Sequence, residues 1–568
     1  MNDRIEVLFR KAAPIEVPEA RYPGFKPSMM VLPKGFVQKE GALPLPCDIL
    51  FERDVAVTLR DGTIIYTDIF RPAGGTNLPA IIAWSPYGKE GGLTVLDDFP
   101  FRAGVPKNAV SELQKWEGPD PAYWCSHGYA VVNPDARGAF SSNGDIHFWG
   151  TQEGRDGYDV IEWVASQEWS NGKVGLSGNS WLAIVQWFIA AEKPPNLAAI
   201  APWEGLVDAY RNDLGRGGIP DFGFCERITS RMRGKNRVED VPTMIQKYLL
   251  INAYWEDKAA KLERIEVPAY IVASWTNMIH THGTLEGFRR ISSKDKWLRV
   301  HNTQEWPDYY ALENIEELRR FFDRYLKGIE NDWEKTPRVR LSVLDPGGVD
   351  EVNRPENDFP LARTDYQTLY LDANMGRLSP YPVAEESTIH YKADDSKGQA
   401  VFTFRFNQNT ELTGYMKLRL WVQADGADDM DLFAFVQKLD KDGNFVPALV
   451  LGAPNFEATG RLRVSHRKLD PVRSTPAEPY LIHRVEELLS PGQVVPVEIA
   501  ICPTGMLWHA GEKLCLIITG HNLAPVAFPG IKPPKLRNKG EHIIHTGKKY
   551  DSHLLVPVIL KSPSLGGV

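Results

Sequence analysis

The segment Lys173-Val174-Gly175-Leu176-Ser177-Gly178-Asn179-Ser180-Trp181-Leu182-Ala183 constrains this chain more than any other. A short apolar run ends in a glycine-bearing turn, and a helical pattern over 181–191 follows at once. A serine on such a turn is lifted clear of the sheet, with the next backbone N–H beside it. The text around it keeps the same rhythm. Residues 79–84, 129–134, 197–202, 267–273 and 296–300 read as buried strands, and 156–166 and 313–326 as helices between them. Alternating strands and helices imply a mainly parallel sheet covered on both faces. The Asp61-Gly62 turn between apolar runs 55–59 and 64–70 adds a hairpin.

At 568 residues the chain holds several units. Residues 1–45, rich in Pro, Gly and Lys, read as an irregular arm. The spans 46–204 and 263–335 read as two parts of an α/β-hydrolase core, interrupted by a helical cap over 205–262. After 336 short β runs separated by turn residues indicate an all-β unit to 568.

Composition narrows the partners. A net charge of −8 argues against nucleic acid as the main partner, since phosphate binding needs a basic face. The five cysteines are scattered without a CxxC pair, which suits reduced thiols and a cytoplasmic location. No secretory signal or apolar run long enough for a membrane span is seen. The run 87–92 lacks GK[ST], and no cluster has metal spacing, so neither cofactor nor metal is expected. A small-molecule substrate is the expected partner, with a homo-oligomer left open. Sixteen tryptophans supply aromatic surface, and Trp203, Phe222, Phe224, Tyr254 and Trp255 are candidates for a pocket wall or for core.

Several motifs resemble the cocaine-esterase/X-prolyl dipeptidyl-peptidase-like hydrolases in the right order. They are Arg60-Asp61-Gly62-Thr63 with Thr67 to Pro72, Pro86-Tyr87-Gly88-Lys89, Asp135-Ala136-Arg137-Gly138, and Trp169 to Gly175 leading into Gly178-Asn179-Ser180-Trp181. The resemblance covers nearly all of the chain after residue 50. It implies an α/β-hydrolase domain, a helical cap and a C-terminal jelly roll. It also implies Ser180 as nucleophile, with the Tyr87 hydroxyl and the Trp181 N–H as oxyanion donors.

Two positions depart from the family pattern. Asn277, in Ser274-Trp275-Thr276-Asn277, stands where the family acid belongs. Gln304 or Glu305 stands where its histidine belongs. Candidate bases are therefore His301 paired with Asn277, then His280, His282 and Glu305. The readings that follow are a serine hydrolase cleaving an ester or amide through an acyl-enzyme, a non-hydrolytic lyase, cyclase or isomerase using Tyr87, Ser180 and Glu305, or an inactive binding protein.

Overall fold

The computed structural model describes residues 5–90, 92–456, 458–524 and 530–560. An eleven-stranded sheet runs Glu351–Glu356, Val339–Val343, Lys296–His301, Ala269–Ser274, Leu197–Trp203, Ser170–Asn179, Leu78–Ile82, Ala130–Pro134, Ile64–Pro72, Ile49–Thr58, Ser28–Leu32. The seven strands from Val339–Val343 to Ala130–Pro134 pair in parallel, and the others are antiparallel. Strands Leu78–Ile82 and Ala130–Pro134 are buried along their whole length, as a sheet covered on both faces demands.

After Leu78–Ile82 the chain pairs on one side with Ala130–Pro134, then returns to the other side as Ser170–Asn179. The direction of winding reverses there, and open α/β sheets place their sites at the carboxyl ends of such strands. Ser180 and Tyr87 both follow strands at this point. Helices Thr151–Ala165 and Trp181–Ala191 cover it closely. A Cβ on Gly157 would lie 2.3 Å from Ile189 Cδ1, so only glycine lets them approach this far.

Two expected boundaries differ in the structure, and the expected cap is not wholly helical. The arm is not wholly irregular, because Ser28–Leu32 extends the main sheet and Phe9–Lys11 pairs with Arg237–Glu239. The β text after 336 does not start the second unit. Val339–Val343 and Glu351–Glu356 complete the first sheet, Val339 opposite Leu298. A short apolar run reads alike in a parallel sheet and in a sandwich, and periodicity cannot separate them. Residues 205–262 hold a π-turn at Tyr210–Leu214 and helices Gly223–Thr229, Val241–Lys247 and Ala253–Asp257, but also the strand Arg237–Glu239.

The C-terminal unit is all β. Thr410–Asp425 pairs with both Val495–Trp508 and His553–Ile559, which closes nine strands into a barrel. The barrel is joined to the first domain through Leu344 and Gly505, whose N–H and C=O meet at 2.8 Å. Asn455 Nδ2 also donates to Thr276 O at 2.8 Å, bracing the loop that carries Asn277. Among the described residues no helix is long and apolar enough to cross a membrane.

Candidate active site

Ser180 has φ 54° and ψ −119°, a left-handed backbone that a residue with a side chain adopts only under constraint. The constraint comes from both sides. Asn179 N donates to Glu117 O and Ser180 N donates to Glu204 O, each at 3.1 Å. Gly178 permits the turn, since a Cβ there would meet Leu182 Cβ at 2.5 Å and Glu117 O at 2.9 Å. Trp181 opens the helix, where the first backbone N–H groups lack intrahelical acceptors. Its indole donates to Glu153 Oε1 at 3.3 Å, beside that of Trp84 at 3.1 Å.

The Ser180 hydroxyl neighbours the Tyr87 phenol and favours its ionised form, the weaker influence on it. Burial, then the charges of Glu117 and Glu305, hold the Tyr87 phenol well above its ordinary range, so it remains an O–H donor. The tyrosine packs edge-on against Trp181 with ring centroids 5.7 Å apart. Leu93 N donates to Tyr87 O at 2.8 Å and fixes the turn that presents it.

Asn277 and His301 do not come together as expected. His301 Nε2 lies 2.5 Å from Glu204 Oε1 and 3.6 Å from Asp308 Oδ2, while its Nδ1 accepts from Thr303 N at 3.3 Å. Both ring nitrogens are engaged by groups other than Ser180 and Asn277. The reason is the buried carboxylate of Glu204, also held by Ser274 Oγ at 3.0 Å, which attracts the imidazole more strongly than an amide does. Asn277 instead donates from Nδ2 to Glu305 Oε2 at 3.3 Å, and its Oδ1 accepts from Ile279 N and His280 N.

The other histidines lie elsewhere. His282 is held between Asn212 Nδ2 and Glu478 Oε1. Burial drives His280 down to about 3, too weak a base at neutral pH.

Three carboxyl groups, those of Glu117, Glu305 and Glu204, lie near one another, and two of these residues hold the elbow through their backbone carbonyls. Glu117, at φ 65°, accepts at Oε1 from Trp306 Nε1 at 3.0 Å, and its Oε2 is buried without a partner. Burial pushes it up to about 8. Glu305 rises well above the carboxylate range, by burial first and then by the charges of Glu204 and Glu117. Glu204, at φ 58°, faces His301. Glu117 and Glu204 escaped sequence reasoning, although one signal was present: Trp116-Glu117-Gly118 and Trp203-Glu204-Gly205 are the same tripeptide.

No group of histidine, cysteine and acidic residues that suits a metal ion occurs among the described residues. The site is a strained serine next to the Tyr87 phenol, with a group of buried carboxyls of raised proton affinity close by.

Comparison with known proteins agrees with that class. A family model described as X-Pro dipeptidyl-peptidase (S15 family) matches residues 61–228. A second, described as the X-Pro dipeptidyl-peptidase C-terminal non-catalytic domain, matches 331–555. The cocaine esterase of a Rhodococcus species is 24% identical, over 89% of this chain and 98% of its own. A putative serine esterase of Mycobacterium bovis is 22% identical, over 84% and 91%. The crystal structure of a CocE/NonD family hydrolase from Staphylococcus aureus is 38% identical with a TM-score of 0.85, over 90% of this chain and 94% of that one. The chain belongs to the cocaine-esterase/X-Pro dipeptidyl-peptidase-like family and is a hydrolase.

Proposed function

We propose that the protein is a serine hydrolase that cleaves an ester or amide of a small molecule or peptide through an acyl-enzyme on Ser180, with Glu305 as the base. The observation that carries this reading is the Asn277 Nδ2 to Glu305 Oε2 hydrogen bond. It stands where the family pattern has an acid and a histidine. An amide orients a carboxylate here, in place of a carboxylate orienting an imidazole.

A general base must be ionised, and burial with the neighbouring carboxyls opposes this in Glu305. Glu305 is the half-buried member of the acid group, and the Asn277 N–H favours its ionised form. It takes the Ser180 proton as the hydroxyl attacks. The Tyr87 O–H and the Trp181 N–H then receive the oxyanion. The C-terminal barrel is read as a jelly roll, and residues 205–262 as a cap shaping the pocket entrance.

Labelling with an activated phosphonate, read by mass spectrometry, tests the reading. The expected result is one adduct on Ser180 with loss of esterase activity. Turnover that survives Ser180→Ala would move the chemistry to a non-hydrolytic acid–base reaction in the same pocket.

A further inference from the structure

We infer that Glu117 is a second catalytic acid–base group: it hands a proton to the departing alcohol or amine and then takes one from the attacking water. The inference rests on Ser180 being the nucleophile, and adds to that reading the group on the leaving side.

Placement comes first. The Glu117 carbonyl accepts the N–H of Asn179, so the residue is tied to the elbow one position from Ser180. Its φ of 65° is unfavourable for glutamate, which marks a backbone held for a purpose beyond packing. Glu204 repeats the arrangement on the other side, with its carbonyl on Ser180 N. The two side chains then diverge in use. Glu204 spends both oxygens on His301 and Ser274. Glu117 spends one on Trp306 and leaves Oε2 bare.

Compensation comes second. Several buried acids of this chain sit against a cation, such as Asp308 on Arg299, Asp431 on Arg463 and Glu239 on Lys258, whereas Glu153 accepts from two indoles and Asp120 from hydroxyl and backbone donors. Glu117 forms no ion pair among the described residues, although it is only 4% exposed. Of the two site acids without a cation, Glu117 is the more deeply buried and lacks the amide donor that Glu305 has, so it is the one that keeps its proton, and a bare carboxyl oxygen carrying a proton is a donor in search of an acceptor. Its rise to about 8 agrees.

The protons balance over a full cycle. In acylation the Ser180 Oγ–carbonyl bond forms and its proton passes to the Glu305 carboxylate. The bond from the carbonyl carbon to the leaving oxygen or nitrogen breaks, and that atom takes the Glu117 proton. In deacylation a water oxygen bonds to the acyl carbon and gives one proton to the Glu117 carboxylate. The ester bond to Ser180 breaks, and the serine oxygen recovers its proton from Glu305. Both carboxyl groups end as they began.

A leaving-group comparison tests this. p-Nitrophenolate departs without a proton, whereas methoxide needs one. Wild type and Glu117→Gln are assayed on the p-nitrophenyl and methyl esters of the same short acid, with the acylation burst followed for the first. The expected result is a loss of about a hundredfold or more in methyl-ester kcat/KM, with the burst rate changed less than about fivefold. Wild-type methyl-ester activity is expected to fall above pH 8, and this limb to be missing from the burst. Equal losses on both esters, or none on either, overturn the assignment. The wild-type profile needs no variant, and an infrared difference spectrum of wild type minus Glu117→Gln at pH 7 needs no substrate: a carboxylate band there, in place of a protonated carboxyl band, also overturns it. Failure of the underlying reading has a separate signature, an unlabelled Ser180 in the phosphonate experiment.

Discussion

Two groups of buried acids lie close together in the first domain, and they are built on opposite principles. In one, Asp54, Asp68 and Asp135 surround Lys89, whose Nζ lies 2.5, 3.6 and 3.4 Å from them. In the other, Glu117 and Glu305 lie near each other and near the Glu204 carboxyl, with indole, amide and phenol groups as their neighbours. The ammonium makes the first a cross-link between the strand Ile49–Thr58, the hairpin and the loop after Leu78–Ile82, and the aspartates in turn hold Lys89 charged well above its usual range. The second has no such cation among the described residues, and its two acids hold their protons more tightly than free carboxyls do. Burial with a counter-charge builds a cross-link; burial without one, beside a strained serine, is the setting in which the proposed chemistry is placed.

The comparison can be broken in several places. The largest effect is expected at the nucleophile: Ser180→Ala should lower kcat by about 10⁴-fold or more, measured on any ester the wild type turns over. Next comes the lysine. Lys89→Met takes the ammonium from Asp68 and Asp135 and leaves Asp54 with Arg53 alone, 3.7 Å away, and should cost about 3–5 kcal/mol in urea unfolding. A loss under about 1 kcal/mol would mean that the cluster is not the cross-link described.

Glu117→Gln should behave in the opposite sense. The folded-state value of Glu117, about 8, lies above the ordinary value of 4.5. The folded protein therefore binds a proton that the unfolded chain releases between these values, and wild-type stability falls as pH rises through that window. The slope from this one group is at most about 1.4 kcal/mol per pH unit. The variant lacks it, so its melting temperature relative to wild type should rise between pH 5 and pH 9. The smallest effect is expected from Trp306→Phe, which removes the indole donor from Glu117 Oε1. It should move the alkaline limb of methyl-ester hydrolysis upward by a fraction of a pH unit, with a stability cost of about 1 kcal/mol.

Much of the first domain was legible because its grammar is local. The strand–turn–helix at Ser180, the strand ends before Tyr87 and Asn277, and the helices between them follow from apolar spacing and glycine placement. The end of that domain was not legible, because Val339–Val343 is a strand whose partner, Lys296–His301, lies some forty residues away. The site divided along the same line. Ser180, Tyr87 and Asn277 sit in motifs, and Glu305 was visible as the residue in the histidine's place. Glu117 and Glu204 sit in loops 63 and 24 residues from Ser180, counted from the numbering, and only the fold brings their carbonyls onto the elbow. Without Glu204 in view, His301 looked available; with its Nε2 on that carboxylate, it is already committed.

The central claim is that a carboxylate, not an imidazole, activates Ser180. It is tested most directly by the rate of phosphonate labelling at Ser180 in wild type, Glu305→Gln and His301→Gln, each shown to be folded by circular dichroism. The account predicts that Glu305→Gln labels about a hundredfold more slowly than wild type while His301→Gln stays within about tenfold. Labelling at the wild-type rate in Glu305→Gln, with the rate lost in His301→Gln, would contradict it and return the base to the histidine.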